Sequence, residues 1–313
     1  MNTGQHKVHN EFHLDKHQVR SGFDQAASRY DEVAVLQREI GQRMIERLDL
    51  IRLQPHMILD AGSGTGNFSI SLSQHYPKAR IISMDLSLTM LSYAQRRTTL
   101  HSVWRRLPVI GTRFSKQMPV CGDIEQLPLS TGSVDMIFSN LTLQWCNDLD
   151  RVFEEFRRIL KPGGLLMFST FGPDTLKELR DCWRQIDQFT HVNTFIDMHD
   201  IGDALLRHRF SEPVMDAERF TLTYRDAGAV MKDLKMLGAH NVTSGRRQTL
   251  TGKGRIQALI KAYETYRRDG VLPASYEAVY GHAWAGDNQP PTPDSGHEAR
   301  IPLSQLHKPM QRK

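Results

Sequence analysis

The sequence predicts a doubly wound α/β fold, a mostly parallel, seven-stranded Rossmann-like sheet with a helical lid insertion after the fifth strand. Three observations predict it. Apolar runs alternate with amphipathic helical stretches five times between Met57 and Phe171, the rhythm of a parallel sheet with helical crossovers. A glycine-rich loop, MILDAGSGTG from Met57 to Gly66, closes the first run. Asp85 ends the second, IISMDLS, nineteen residues after Gly66.

The elements follow in order. Met1 to Val19 is polar and His-rich without apolar periodicity and reads as a disordered extension, with structure beginning near Arg20. From Phe23 to Leu50 apolar residues recur every three or four positions, as in two helices broken near Asp31. Pro55 closes this region, and Met57–Ala61 is the first strand. Asn67 to His75 is a helix ended at Pro77, Arg80 to Asp85 the second strand, and Ser87 can cap a helix from Leu88 to Gln95. Pro119 to Gly122 and Val134 to Asn140 are the third and fourth strands. Leu149 to Leu160 is an amphipathic helix ended by KPGG, where Pro162 cannot continue it and a glycine supplies a left-handed turn. Leu165 to Phe171 is a fully apolar fifth strand.

Beyond Phe171 the rhythm changes. Helices are predicted at Asp174–Asp187, Asp200–His208, Ala227–Leu237 and Gly254–Arg267, with strands at Glu218–Tyr224 and Tyr276–Trp284. This suits a sheet finishing in an antiparallel pair, with the insertion occupying about 172–213 and 225–270. The domain therefore spans 20–285, and the Pro- and Gly-rich stretch from Gly286 to the end is expected to be disordered.

A chain of 313 residues with formal charge +5 suits one α/β core with an insertion, and that charge is too weak to imply nucleic acid. No run approaches a membrane span, and the first residues resemble neither a signal nor a transit peptide. Cys121, Cys146 and Cys182 show no paired spacing, so a reduced cytoplasmic setting without a metal site is expected. Asn-X-Ser/Thr triplets at Asn67, Asn140 and Asn241 are then chance matches. Charge is concentrated once: Arg96, Arg97, Arg105, Arg106, Arg113 and Lys116, with His101, fall between Arg96 and Gln117 without an acidic residue. This is a solvated basic loop or a docking patch for an acidic partner.

The glycine loop carries the chemistry. A dinucleotide fold wants G-x-G-x-x-G, but Asn67 stands where the third glycine belongs, and the glycines fall at Gly62, Gly64 and Gly66. No Gly-Lys-Ser/Thr follows, which excludes a phosphate loop. Three such glycines let backbone approach a ligand, and the following helix offers free N–H groups. This edge suits the methionine part of S-adenosylmethionine. Asp85 can accept both ribose hydroxyls, Asp123 the adenine amino group with Ile124 as an apolar wall, and Asp60 sits near the ammonium end. Leu86 and Asn140 are counted with this set. An aspartate at a strand end is more often a turn or cap residue; the ordered set around the loop makes the cofactor reading. After the fourth strand the chain reads SNLTLQWC, without the Asn/Asp-Pro-Pro-aromatic motif of many amide and nucleobase methylating enzymes. A carboxylate acceptor is ionised at neutral pH and needs only a positive or hydrogen-bonding cradle.

LDAGSGTG, GDIEQLPL, SNLTLQWCNDL and LKPGG, with STFGPDTLKELR, FIDMHDIGDAL and YEAVYGHAW, closely resemble the malonyl-acyl-carrier-protein O-methyltransferases of biotin synthesis, from about Arg20 to Trp284. The first motifs are shared across the class I S-adenosylmethionine-dependent methyltransferases; the SNLTLQWC, FGPDTL and FIDMHDIGDAL segments are more specific. The resemblance implies methylation of the free carboxylate of malonyl-acyl carrier protein, so that elongation can build a pimeloyl chain. An acidic carrier would give the basic segment a partner, although that segment is longer than the core needs there, and an insertion is the other reading. The resemblance also implies a tyrosine near the cofactor, matched by Tyr30, for which a core helix-face role is the alternative. Gln144 and Trp145 are expected to line the acceptor pocket, with simple packing the alternative for Trp145. A cation for the malonyl carboxylate is sought among Arg157, Arg158, Arg180 and His199. Rival readings are a methyltransferase of a free small acid such as trans-aconitate, and a non-methylating assembly factor of the same fold.

Overall fold

The apolar runs do pair as strands, and their order explains where a site can form. The computed structural model describes residues 13–104, 117–239, 241–246, 249 and 251–286, with the side chains of 98–104 excepted. Seven strands, β1 (Met57–Ala61), β2 (Arg80–Asp85), β3 (Gln117–Cys121), β4 (Val134–Asn140), β5 (Leu160–Phe171), β6 (Phe210–Tyr224) and β7 (Leu272–Ala285), form one sheet in the order β3-β2-β1-β4-β5-β7-β6. The first five run parallel, and β7 pairs antiparallel with both β5 and β6. The order reverses between β1 and β4, so their carboxyl-end loops diverge and leave a crevice.

The strand period puts alternate residues on opposite faces. Ile58 turns toward α3 (Val35–Leu48) and α4 (Asn67–His75), where Ile40, Met44, Leu48 and Leu72 are buried. Leu59 turns to the other face, against α6 (Leu149–Ile159). In α6 the Asp148 side chain accepts from the Arg151 N–H, and Val152, Phe153, Phe156 and Ile159 are fully buried. Burial of each such side chain stabilises by about 2 kcal/mol.

The amino-terminal region departs from expectation. Asp15 caps α1 (Lys16–Ala26), accepting from the His17 and Gln18 N–H groups, and Leu14 bridges Thr243. Structure therefore begins before Arg20, because a cap and a distant β-bridge hold a segment with no apolar period of its own. Residues 1–12 of the expected extension lie outside the described residues. The helical region falls into three pieces, α1, the single turn α2 (Tyr30–Val33) and α3; the interruptions are at 27–29 and Ala34, and Asp31 lies inside α2.

The helix after β2, α5 (Leu88–Trp104), runs well past Gln95, and β6 begins eight residues before Glu218. That first stretch of β6 is largely exposed and carries no clean alternation, and its ladder with β7 makes it a strand. Residues 210–213 thus belong to the sheet. Helix α8 (Met198–Arg207) is also no part of a lid: Ile201, Ala204 and Leu205 pack with Phe153 and Phe210 on the sheet. Helices α7 (Lys177–Arg184), α9 (Ala227–Met236) and α10 (Lys253–Tyr263) gather over the opposite face through Leu179, Trp183, Val230 and Tyr263. Beyond Gly286 the expected tail lies outside the described residues, as do Arg105, Arg106, Arg113 and Lys116 of the basic segment.

Candidate functional site

The glycine loop turns sharply because two of its N–H groups share one acceptor: Gly62 and Ser63 both donate to the Met84 carbonyl at 2.8 Å. Gly62 has φ +79°, and a Cβ there would stand 2.0 Å from Thr142 Oγ1. Thr142 is delivered by Leu141, a non-glycine residue at φ +51° at the end of β4, whose N–H donates to both the Ser169 carbonyl and Oγ. Gly64, at φ +53°, has nothing within 4 Å of its Cβ position and opens to the crevice. Gly66, at φ +79°, packs instead against Ala94, 2.8 Å from its Cβ position.

Asp85 accepts from the Gly64 N–H at 2.9 Å and the Ser87 N–H at 2.8 Å. Burial raises its pKa to about 6 despite these bonds. Asp123 is held by Lys16 Nζ at 3.1 Å, and Lys16 also pairs with Glu125 at 3.1 Å. Burial opposes the Lys16 charge, yet its neighbours leave its pKa above the ordinary lysine value. Tyr30 stands near Asp85 with its ring edge-on to Phe23, and burial pushes its hydroxyl well above the ordinary tyrosine range.

These groups line an open cavity together: Tyr30, Gly62, Gly64, Asp85, Leu86, Asp123, Ile124, Asn140 and Trp145, with Lys16, Phe23, Met90 and Thr142. Nine of the twelve expected site residues meet there. Asp60 does not: it is buried beneath the loop, accepting from Ser69 Oγ at 2.5 Å, and burial raises its pKa to about 7. Gly66 is absent for the packing reason above. Asn140 lines the cavity, but its amide donates to the Gln37 carbonyl and accepts from Ser169 Oγ, so the side chain frames the site.

Gln144 lines a second cavity, which shares the Trp145 wall and is bounded by Leu36, Gln37, Phe171, Leu179, His191, Asn193, Phe195, Asn241 and Tyr276. The four cation candidates line neither cavity. Arg157 donates to the Gly286 carbonyl, Arg158 to those of Leu127 and Leu129, and Arg180 to those of Pro173 and Thr175. His199 is exposed and bonded to Asp197. Backbone carbonyls are strong acceptors and take these guanidinium groups. Among the described residues, the cationisable side chain on the second cavity's wall is His191, stacked on Trp183 at 3.7 Å and bonded to Asp187 at 2.7 Å.

Three polar clamps close the amino-terminal helices over the first cavity. Asp31 accepts from Thr65 Oγ1 and Asn67 Nδ2 and pairs with Arg97. Asp24 accepts from Ser87 Oγ at 2.5 Å, and Lys16 reaches Asp123. Each clamp joins the loop after a different strand, β1, β2 and β3. Sequence reasoning missed Lys16, Asp24 and Asp31; only spatial proximity distinguishes them from surface charges. Among the described residues no cluster of His, Cys, Asp and Glu could hold a metal ion, and no helix is long and apolar enough to cross a membrane.

A family model described as a methyltransferase domain matches residues 59–168. The chain is 54% identical over 275 residues to the malonyl-[acyl-carrier protein] O-methyltransferase of Gallionella capsiferriformans, covering 88% of this chain and 92% of that protein. It is 51% identical over 281 residues to the same-named protein of Methylovorus sp., covering 90% and 93%. Among solved structures, the YcgJ protein of Bacillus subtilis matches with a TM-score of 0.53 at 16% identity, covering 80% of this chain and 99% of that one. A putative methyltransferase of Haloferax volcanii, solved with the Trm112 activator, matches at 0.53 and 17%, covering 87% and 99%. At such identities the structures establish the fold alone.

Proposed function

We infer that this chain, which belongs to the malonyl-[acyl-carrier protein] O-methyltransferase family, methylates the free carboxylate of a malonyl thioester on acyl carrier protein with S-adenosylmethionine, the ester that starts a pimeloyl chain for biotin. The observation that carries it is the pair of cavities sharing the Trp145 wall. One is edged by glycine backbone and carboxylates; the other is largely apolar and leads away under α7 and α9.

The first cavity fits S-adenosylmethionine by its donor set. Asp85 has one backbone N–H on each oxygen and keeps lone pairs for the two ribose hydroxyls. Asp123, steadied by Lys16, accepts from the adenine amino group against Ile124, and the open face of Gly64 admits the methionine part. S-adenosylmethionine supplies a methyl group on a sulfonium sulfur, which an ionised carboxylate accepts as the C–S bond breaks, with no proton transferred. The chain has then to align the carboxylate and exclude water. Tyr30, whose raised pKa keeps the hydroxyl protonated, supplies a hydrogen-bond donor in the first cavity, and Trp145 supplies its indole N–H at the shared wall. Gln144, bonded to Leu141 O at 2.7 Å and Thr170 at 3.2 Å, fixes the turn that carries Trp145.

The single domain runs from the amino-terminal clamps to β7, with α7, α9 and α10 covering the acceptor side. The basic segment, in its part beyond Arg97, is the proposed docking surface for an acidic carrier protein, and the proposed setting is cytoplasmic. Methyl transfer from labelled S-adenosylmethionine to malonyl-acyl carrier protein tests the function against malonate and trans-aconitate as free acids. Preference for a free acid, or cofactor binding without transfer to any of them, would overturn it. Restoration of biotin-independent growth to a cell lacking its own malonyl-carrier methyltransferase is the genetic counterpart.

A further inference from the structure

The second cavity holds an imbalance of hydrogen bonding. Four amide side chains stand on its wall: Gln37, Gln144, Asn193 and Asn241. Two are satisfied by the protein. Gln144 bonds Leu141 and Thr170, and Asn241 donates to Thr190 and accepts from Thr243. The other two are not: Gln37 Oε1 and Asn193 Oδ1 are buried without a partner. Buried acceptors are almost always paired, and two exceptions on one largely apolar wall call for a ligand carrying donors. Turning either amide over leaves the same need, since a buried amide nitrogen wants an acceptor as much as the oxygen wants a donor.

The two orphans are set apart along the cavity. Gln37 lies on the side of the first cavity, where its backbone carbonyl accepts from the Asn140 side-chain amide. Asn193 lies in the segment between α7 and α8, two residues from His191, which also lines an outer cavity with Arg180 and Arg184. A ligand meeting both is elongated, apolar along much of its length, and interrupted by groups that both donate and accept. Secondary amides in a flexible chain have this chemistry.

We propose that Gln37 and Asn193 are specificity-determining residues that each hydrogen-bond a secondary amide of a pantetheine-type thioester arm lying in the second cavity. This rests on the thioester reading of the preceding section. The arm enters past Asn193, and its acyl end reaches the wall made by Trp145.

The test compares Asn193→Leu and Gln37→Leu with the unaltered protein on two acceptors, the malonyl thioesters of pantetheine and of ethanethiol, the second of which has no amide. The expected result is a KM raised about five- to tenfold for the pantetheine thioester, the loss from one buried hydrogen bond, with kcat retained and KM for the ethanethiol thioester unchanged. Equal shifts on both acceptors, or none on either, would overturn the proposal and leave ordinary hydration of the two amides. If the unaltered protein methylates neither these thioesters nor malonyl-acyl carrier protein, the functional reading fails first and distinguishably. Asn193→Ala and Gln37→Ala give the same comparison should a leucine prevent folding, and calorimetric binding of S-adenosylhomocysteine verifies an intact cofactor site in each variant.

Discussion

Gly62 and Gly64 look alike in sequence, yet the structure assigns them opposite consequences when either is replaced by alanine. At Gly62 the backbone lies at φ +79°, and the new Cβ would meet Thr142 Oγ1 at 2.0 Å, Cγ2 at 2.5 Å and Cβ at 2.7 Å. Thr142 has little room to withdraw, because its hydroxyl bonds the Ala61 and Asn140 carbonyls and its backbone follows the left-handed Leu141. The left-handed conformation costs an alanine about 1–2 kcal/mol, and forced repacking about 1–3 kcal/mol more. Gly62→Ala should therefore lose about 2–5 kcal/mol, a large part of the stability of an ordinary domain. At Gly64 the conformational cost is similar but nothing lies within 4 Å of the new methyl group, so Gly64→Ala should lose only about 1–2 kcal/mol. Its methyl group stands in the cavity and should weaken S-adenosylhomocysteine binding by about tenfold or more. Urea unfolding without cofactor measures the first quantity and titration calorimetry the second. Equal destabilisation by the two substitutions, or undiminished binding to Gly64→Ala, would refute the assignment of Gly62 to the scaffold and Gly64 to the ligand.

Two further outcomes follow from buried carboxylates. In the proposed cofactor site Asp85 accepts the ribose hydroxyls as the ionised carboxylate, and burial raises its pKa to about 6, so cofactor affinity should fall as pH is lowered through 6. Asp85→Asn should bind about 10- to 100-fold more weakly at pH 8 and lose that pH dependence; calorimetry between pH 5 and 8 decides, and a flat profile for the unaltered protein contradicts the assignment. Asp60 has a folded-state pKa of about 7 against 3.8 as the reference value, so the native state holds the proton more tightly. Its stabilising effect is complete below about pH 4 and is lost as pH rises toward and through 7. Asp60→Asn carries no such charge, and its stability relative to the unaltered chain should improve by roughly 2 kcal/mol between pH 5 and pH 8. A gap measured by urea unfolding that does not change with pH would show that Asp60 is not buried as charge.

Period and punctuation made the parallel half of the sheet legible. Met57–Ala61, Arg80–Asp85 and Val134–Asn140 were readable to the residue because buried parallel strands are continuous apolar runs bounded by turn residues. The edge strand β6 was half hidden, since its first eight residues alternate weakly and draw their order from the ladder with β7. The first turns of α1, before Arg20, were hidden likewise: the anchors of that end, Thr243, Asn147 and Asp123, lie more than a hundred residues away.

The site divides in the same way. Residue type and local spacing determined the glycine loop, the strand-end Asp85 and Asp123 and the cofactor they suit, because a loop and its flanking strand ends are set by neighbours in the chain. Tertiary structure alone decided that Asp60 and Gly66 belong to the scaffold and that the cationic candidates are engaged by backbone carbonyls. It also decided that Tyr30 is brought to Asp85 by clamps from Asp31 and Asp24, and that the second cavity is edged by Gln37, His191 and Asn193. Each of those facts depends on which distant group reaches a polar atom first, and burial fixes that only when the whole chain has packed.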